Sequence, residues 1–212
     1  MKVGILGSGV VGQTLAAGFL QHGHEVMIGT REPAKLADWL REHPGAKVAD
    51  SRETAAFGEV IVLAVKGPVA AQALEAAGRD NLAGKTIIDA CNPITDAPPD
   101  HGVLPFFTGP NESLMEQLQH AFADAHLVKA FNSVGTANMV NPPFAEKPTM
   151  FICGNDEGAK KKVAAILDQF GWETADMGTA EAARAIEPLC RLWCVLGFTK
   201  NEWTHAFRLL HR

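Results

Sequence analysis

Lys2-Val-Gly-Ile-Leu-Gly7-Ser-Gly9-Val-Val-Gly12 opens the chain, and Glu25-Val-Met-Ile-Gly29-Thr30-Arg31 follows it. The first stretch is an apolar run (Val3, Ile5, Leu6), then glycines, then a segment in which Val11, Leu15 and Phe19 recur at four-residue spacing. That order predicts strand, tight turn and helix. Gly7 allows the turn, Gly9 lets a ligand approach the backbone, and Gly12 lets the helix pack closely on the strand. The free N–H groups and positive dipole end of such a helix suit a pyrophosphate, so the pattern predicts a dinucleotide site.

The second stretch decides which dinucleotide. A carboxylate at the end of the second strand would accept from a ribose 2′-hydroxyl and repel a 2′-phosphate, whereas arginine meets that phosphate with a charge-assisted fork. Here Thr30, Arg31 and, one helical turn on, Lys35 are expected to converge on a 2′-phosphate, with Glu32 pointing away. The expected ligand is therefore NADP(H).

Composition narrows the class. The 212 residues fit one ordinary domain, and a hydrophobic content of 47% is enough for a full core. A net charge of −5 without a basic run argues against nucleic acid as a partner. No stretch offers the ~18 consecutive apolar residues of a membrane span, and the first residues read as a core strand rather than a leader, so the expected setting is soluble and cytoplasmic, with no membrane partner. Cys91, Cys153, Cys190 and Cys194 contain no CxxC pair, and no ligand set for a metal is expected. Cys190 and Cys194 read as small apolar residues on one buried helix face.

Strand and helix signals alternate, with strands at 2–7, 25–30, 47–50, 59–65 and 85–90 and helices at 10–22, 33–43, 51–57 and 68–78. This is the pattern of an α/β fold, a Rossmann-type doubly wound, mainly parallel sheet. A proline-rich loop, Asn92 to Pro110, follows the fifth strand, at the edge where such sheets bind ligands. Beyond it come a helix opened by Asn111 or by a Ser113/Glu116 capping box, a strand at 126–131, an irregular segment at 132–143, a strand at 149–153, a helix bearing Val163, Ile166, Leu167 and Phe170, and a short strand at 172–175. Residues 180–210 read as helical, broken or kinked around Pro188 and again near Gly197. Residues 1–178 are the expected cofactor-binding domain and 179–212 a short C-terminal helical extension of the same compact unit.

The chain contains no tyrosine, which excludes the Tyr–Lys proton-transfer pair of short-chain dehydrogenases. Three further strings are Lys85-Thr-Ile-Ile-Asp89-Ala-Cys-Asn92-Pro93, Val128-Lys129-Ala-Phe-Asn132-Ser133 and Phe151-Ile-Cys-Gly154-Asn-Asp156. With Gly29-Thr30-Arg31 they make the chain resemble, over about residues 1 to 210, the NADP oxidoreductases that depend on the deazaflavin coenzyme F-420. It is also similar to the NADPH-binding module of the STEAP metalloreductases. The resemblance implies hydride exchange between NADP(H) and a flavin-like ring. It implies that Ser8, Gly9, Val10 and Val11 hold the pyrophosphate, and that Ala64, Val65, Asn92 and Pro93 border the ribose and nicotinamide. It further implies an acceptor cleft at Ala64–Pro68, Cys91–Ile94 and Asn132–Ala137, with Lys66, Asn132, Ser133 and Val134 nearest the acceptor. The chain departs from the family's pattern at Lys66-Gly67-Pro68, where a Pro-Trp-like pair is usual.

No proton-transfer residue is identifiable. Asn132 could bind nicotinamide or acceptor, while Lys66 and His101 read first as solvated loop residues and Cys91 as a pocket wall. The expected function is hydride transfer between NADP(H) and coenzyme F-420, FMN or FAD as small-molecule acceptor. The alternatives are a STEAP-like flavin or ferric reductase and a non-enzymatic NADP(H)-binding sensor. Ile186, Leu189, Cys190, Trp193, Cys194 and Gly197 form an apolar stripe, and Trp203, Phe207 and Leu210 another, so a homodimer built on the C-terminal helices is expected.

Overall fold

The computed structural model describes residues 1–210. Its main sheet contains β1 (Lys2–Leu6), β2 (Glu25–Gly29), β3 (Ala46–Ala49), β4 (Val60–Leu63), β5 (Thr86–Asp89) and β6 (His126–Lys129). All pairings are parallel, in the order β3-β2-β1-β4-β5-β6. This is the doubly wound Rossmann order, and its switch point lies between β1 and β4, where the two opening crossovers leave in opposite directions and a crevice forms outside the strands' carboxyl ends. The helices are α1 (Val10–Gln21), α2 (Ala37–Glu42), α3 (Ser51–Phe57), α4 (Ala70–Ala77), α5 (Arg79–Leu82), α6 (Leu114–Ala121), α7 (Glu157–Gln169) and α8 (Ala183–Lys200).

The central strands read as continuous apolar runs because both faces are covered. Along β4 the side chains alternate: Val60 and Val62 join a core with Phe19 of α1 and Val163 of α7, while Ile61 and Leu63 join a core with Leu74 of α4 and Leu118 of α6. Two further strands, β7 (Thr149–Ile152) and β8 (Glu173–Asp176), form a separate parallel pair. A single antiparallel bridge, Lys129 to Cys153, ties them to β6. The Ser113/Glu116 capping box opens α6 as expected, and Asp50 and Asp156 cap α3 and α7.

The C-terminal region corrects the sequence reading. Pro188 lies inside α8, which runs on to Lys200. Proline in the sixth position forfeits one early hydrogen bond, and its exposed ring meets no packed neighbour that would force a break. The helical stretch expected to reach 210 ends at Asn201, in the left-handed conformation (φ 56°), and Gly197 is a packing position beneath the Trp203 ring rather than a break. Residues 201–210 are not helical. They run back over the fold, where Thr149 donates to the Phe207 carbonyl (2.8 Å) and Trp193 Nε1 to that of His205 (2.8 Å). The stripe expected at a subunit contact is used inside the protomer: Cys190, Trp193 and Cys194 pack against Ile94, Leu104, Phe106 and Phe207. No helix among the described residues is long and apolar enough to cross a membrane.

Candidate functional site

The β1–α1 turn is built for close approach. Gly7 has φ +126°, and a Cβ there would lie 2.2 Å from the Ala64 carbonyl oxygen; a Cβ on Gly12 would lie 2.1 Å from that of Gly7. Gly9 differs from both, because its backbone is ordinary (φ −76°) and a Cβ would meet nothing within 4 Å. Its lack of a side chain therefore serves neither the fold nor the turn but the space above the helix. Gly9 is also the N-cap of α1, and no side chain caps the helix, so the first N–H groups remain free beside Val10 and Val11. Gln13 braces the turn from behind, its amide donating to the Ser8 carbonyl (2.8 Å). A Gly-shaped cradle over uncapped N–H groups fits a pyrophosphate.

A cavity of about 320 Å³ runs from this turn to the end of β2. Ser8, Thr30, Arg31, Glu32 and Lys35 line it on the β2 side. The Thr30 hydroxyl is buried and lies 3.0 Å from that of Ser8, and it accepts from the Glu32 N–H (3.1 Å). Arg31 is exposed and makes no ion pair among the described residues. Glu32 does not point away as expected: its carboxylate takes Lys35 Nζ at 2.8 Å, because residues 33–36 form a tight 3-10 turn that brings the two together. The Lys35 hydrogen bond and charge, with Arg31 beside them, hold the Glu32 carboxyl below its ordinary pKa. Among the described residues, the free cation at this end is Arg31.

The far wall of the cavity was not read from the sequence. It comes from Val69, Ala73 and Ala76, with Gln72 between them and Ser51 at the start of α3. The spacing 69, 73, 76 marks one face of a helix, which is a signal that was available. Val65 lines the same cavity, and Ala64 is buried beside it.

The residues expected to border the nicotinamide lie at the ends of β5 and β6. Asn92 Nδ2 donates to the Asn132 carbonyl (2.8 Å), and Asn132 Nδ2 returns to Asn92 Oδ1 (3.2 Å) and to the Ile186 carbonyl of α8 (3.1 Å). Asn132 Oδ1 is a buried acceptor with no partner, of the kind an amide donor satisfies. Pro93, Asn132, Ser133 and Val134 are all buried, so they form a wall rather than an open surface. Phe131, next to Asn132, is buried with φ +63°, a strained backbone for a bulky side chain.

Lys66 is exposed and paired with Asp96 of the proline-rich loop (2.8 Å), which raises its pKa by hydrogen bond and charge. Asp96 also lines a second cavity of about 400 Å³ with Pro68, Thr95, Phe107 and Leu114. Gly67 has a packing reason, since a Cβ would lie 2.1 Å from the Asn92 carbonyl oxygen. His101 is exposed. Cys91 is buried and its thiol pKa is pushed up by desolvation and by Asp89, as expected of a wall rather than a nucleophile.

Comparison with known proteins agrees with this geometry. The sequence pattern of the family described as NADP oxidoreductase, coenzyme F-420-dependent, matches residues 2–93. The F-420-dependent NADP reductase of Methanocaldococcus jannaschii is 28% identical over 204 residues, 91% of this chain and 90% of its own length. Metalloreductase STEAP3 of Rattus norvegicus is 30% identical over 188 residues, 89% of this chain, but the chain spans only 36% of that protein. The crystal structure of an Arthrobacter sp. FB24 protein assigned to the F-420-dependent NADP-reductases is 36% identical, with a TM-score of 0.93 and 100% of both chains covered. With the family's pattern over residues 2–93 and 36% identity to that structure over the whole of both chains, the chain belongs to the family of coenzyme F-420-dependent NADP oxidoreductases.

Proposed function

We propose that the protein binds NADP(H) through Gly7 to Gly12, Thr30 and Arg31 and exchanges a hydride with a deazaflavin (coenzyme F-420) or a flavin (FMN or FAD). The observation that carries this reading is the open space over Gly9 at an uncapped helix N-terminus, in one cavity with the unpaired Arg31. Bound NADP(H) would supply the hydride from its nicotinamide ring. The protein's part is positional. α1 and Arg31 anchor the phosphates, Ala64 and Val65 border the ribose, and the Asn92–Asn132 pair with Ser133 and Val134 forms a dry wall beside the two rings. Residues 1–178 supply the cofactor site, and α8 in 179–212 reaches it through the Ile186 carbonyl.

Mixing the purified protein with NADPH and either oxidised coenzyme F-420 or FMN tests the reading. Protein-dependent bleaching of one acceptor is expected, and tight NADPH binding with no bleaching of either would leave an NADP(H)-binding sensor instead. A STEAP-like reductase is the second reading, favoured by the 30% identity to STEAP3. Bleaching of FMN but not of the deazaflavin would select it. We also propose a cytoplasmic homodimer. With the buried stripe assigned to the protomer, the contact falls to what α8 leaves outside, Leu192 (58% exposed) and Phe198 (46% exposed). Sedimentation of the wild type as a monomer at micromolar concentration would remove the dimer.

A further inference from the structure

Three charges with almost no solvent exposure meet behind the nicotinamide wall. Asp89 and Lys129 end two otherwise apolar strands, and the β5–β6 register sets them opposite one another. Lys129 Nζ lies 2.6 Å from Asp89 and 2.9 Å from Glu187 of α8. Burial acts to strip its proton, but the two carboxylates together outweigh burial and raise its pKa, so it stays an ammonium. Each carboxylate has a second task. Asp89 Oδ1 accepts the Cys91 N–H (2.9 Å), and the two oxygens of Glu187 accept the N–H groups of Leu114 and Met115 at the start of α6 (3.0 Å each).

The remaining bond of Lys129 runs to the Cys91 carbonyl (2.9 Å). That bond draws the carbonyl inward, and in a trans peptide the N–H of Asn92 then faces the other way. The residue is held on every side. Its side-chain amide is locked to Asn132, and its carbonyl lies close against Gly67. The strained Phe131 fits the same picture, because such a backbone persists only where its surroundings over-determine it. We propose that Lys129, held by Asp89 and Glu187, is a positioning residue: it sets the Cys91–Asn92 peptide, and with it the Asn92–Asn132 pair, as the rigid wall against which the nicotinamide half of the cofactor is oriented. A plain structural salt bridge could have joined the strands anywhere along their length. This one grips the peptide that leads into Asn92 and ties it to α6 and α8.

The inference rests on the NADP(H) reading, and the test separates the two. Lys129→Met alone opposes two buried carboxylates and is expected to unfold the protein. The informative variant is Asp89→Asn/Lys129→Met/Glu187→Gln, which removes the charges together, keeps an acceptor for the Cys91 N–H and keeps one acceptor oxygen at the two N–H groups that open α6. Adenosine 2′,5′-bisphosphate probes the adenosine half alone, and NADPH probes both halves. The variant is expected to melt as one cooperative unit and to bind the bisphosphate within about twofold of wild type. It should bind NADPH roughly tenfold more weakly, with the emission of bound NADPH shifted towards that of the free cofactor. Unchanged NADPH affinity and emission would overturn the inference, as would equal losses for both ligands, which would mark a general loss of fold. A wild-type protein that does not bind NADPH would instead remove the cofactor reading beneath it.

Discussion

At the scale of single residues, the cofactor end depends on few groups. Among the described residues Arg31 is the one cation there without a protein partner, so Arg31→Ala is expected to weaken NADPH binding by about 1.5–3 kcal/mol, roughly ten- to a hundredfold, with NADH almost unaffected. Isothermal titration with both cofactors checks this, and equal losses would contradict it. Lys35 is expected to matter less, because Glu32 already holds it. Gly9→Ala should leave the unbound protein within about 1 kcal/mol of wild type, since a lost helix cap and a stiffer unfolded chain offset each other. NADPH binding should nevertheless fall sharply, and a thermal melt paired with a titration reads both. The glycine turn, and the placement of Thr30 and Arg31 at the end of β2 in one cavity with it, were legible because local order along the chain sets them. Glu32 was misread because its direction depends on a 3-10 turn where a regular helical turn was expected. The Asp89–Lys129–Glu187 set was missed because its members are 40 and 58 residues apart and meet only through strand register and the docking of α8. Two apolar strands ending in opposite charges, Thr86-Ile-Ile-Asp89 and His126-Leu-Val-Lys129, were the available hint.

At the scale of elements, α6 and α8 are joined by charge as well as by packing. Arg184 of α8 grips Glu116, the third residue of α6 and half of its capping box, and this hydrogen bond outweighs partial burial to lower the Glu116 pKa. A lowered carboxyl pKa stabilises the fold above the unfolded value, about 4.3, and the contribution is lost as pH falls through the folded value. Glu116→Gln keeps the capping pattern and loses the charge, so it should cost about 0.5–1 kcal/mol at pH 7. Urea unfolding should show that difference shrinking below the ordinary glutamate range; a difference that grew with acid would refute the pairing. α8 was only partly legible. Its apolar stripe was visible, but a stripe does not say what covers it, and the cover proved to be the proline-rich loop and the returning tail. Trp193→Ala is therefore expected to destabilise the protomer by roughly 3–5 kcal/mol in denaturant unfolding. Leu192→Glu/Phe198→Glu should leave stability nearly unchanged and shift sedimentation to the monomer. A destabilised surface variant with an intact dimer would reverse that assignment.

At the scale of the whole molecule, alternating apolar runs and helical stripes made the parallel sheet legible, and its strand order places the crevice at the ends of β1 and β4. The strands at 149–153 and 172–175 were legible, but not that they pair as a sheet of their own, nor that the tail packs on Thr149, because pairing and an extended terminus leave little periodicity in the sequence. The protein is an NADP-dependent oxidoreductase by family, and its architecture divides the work. On the proposed reading, the open, charged end takes the phosphates and the buried end, braced by Lys129, orients the ring. The account stands most directly on cofactor choice, which a pair of titrations of the wild-type protein with NADPH and NADH measures. It requires NADPH to bind at least about tenfold more tightly, the effect of one charge-assisted phosphate contact; equal affinity, or a preference for NADH, would contradict it.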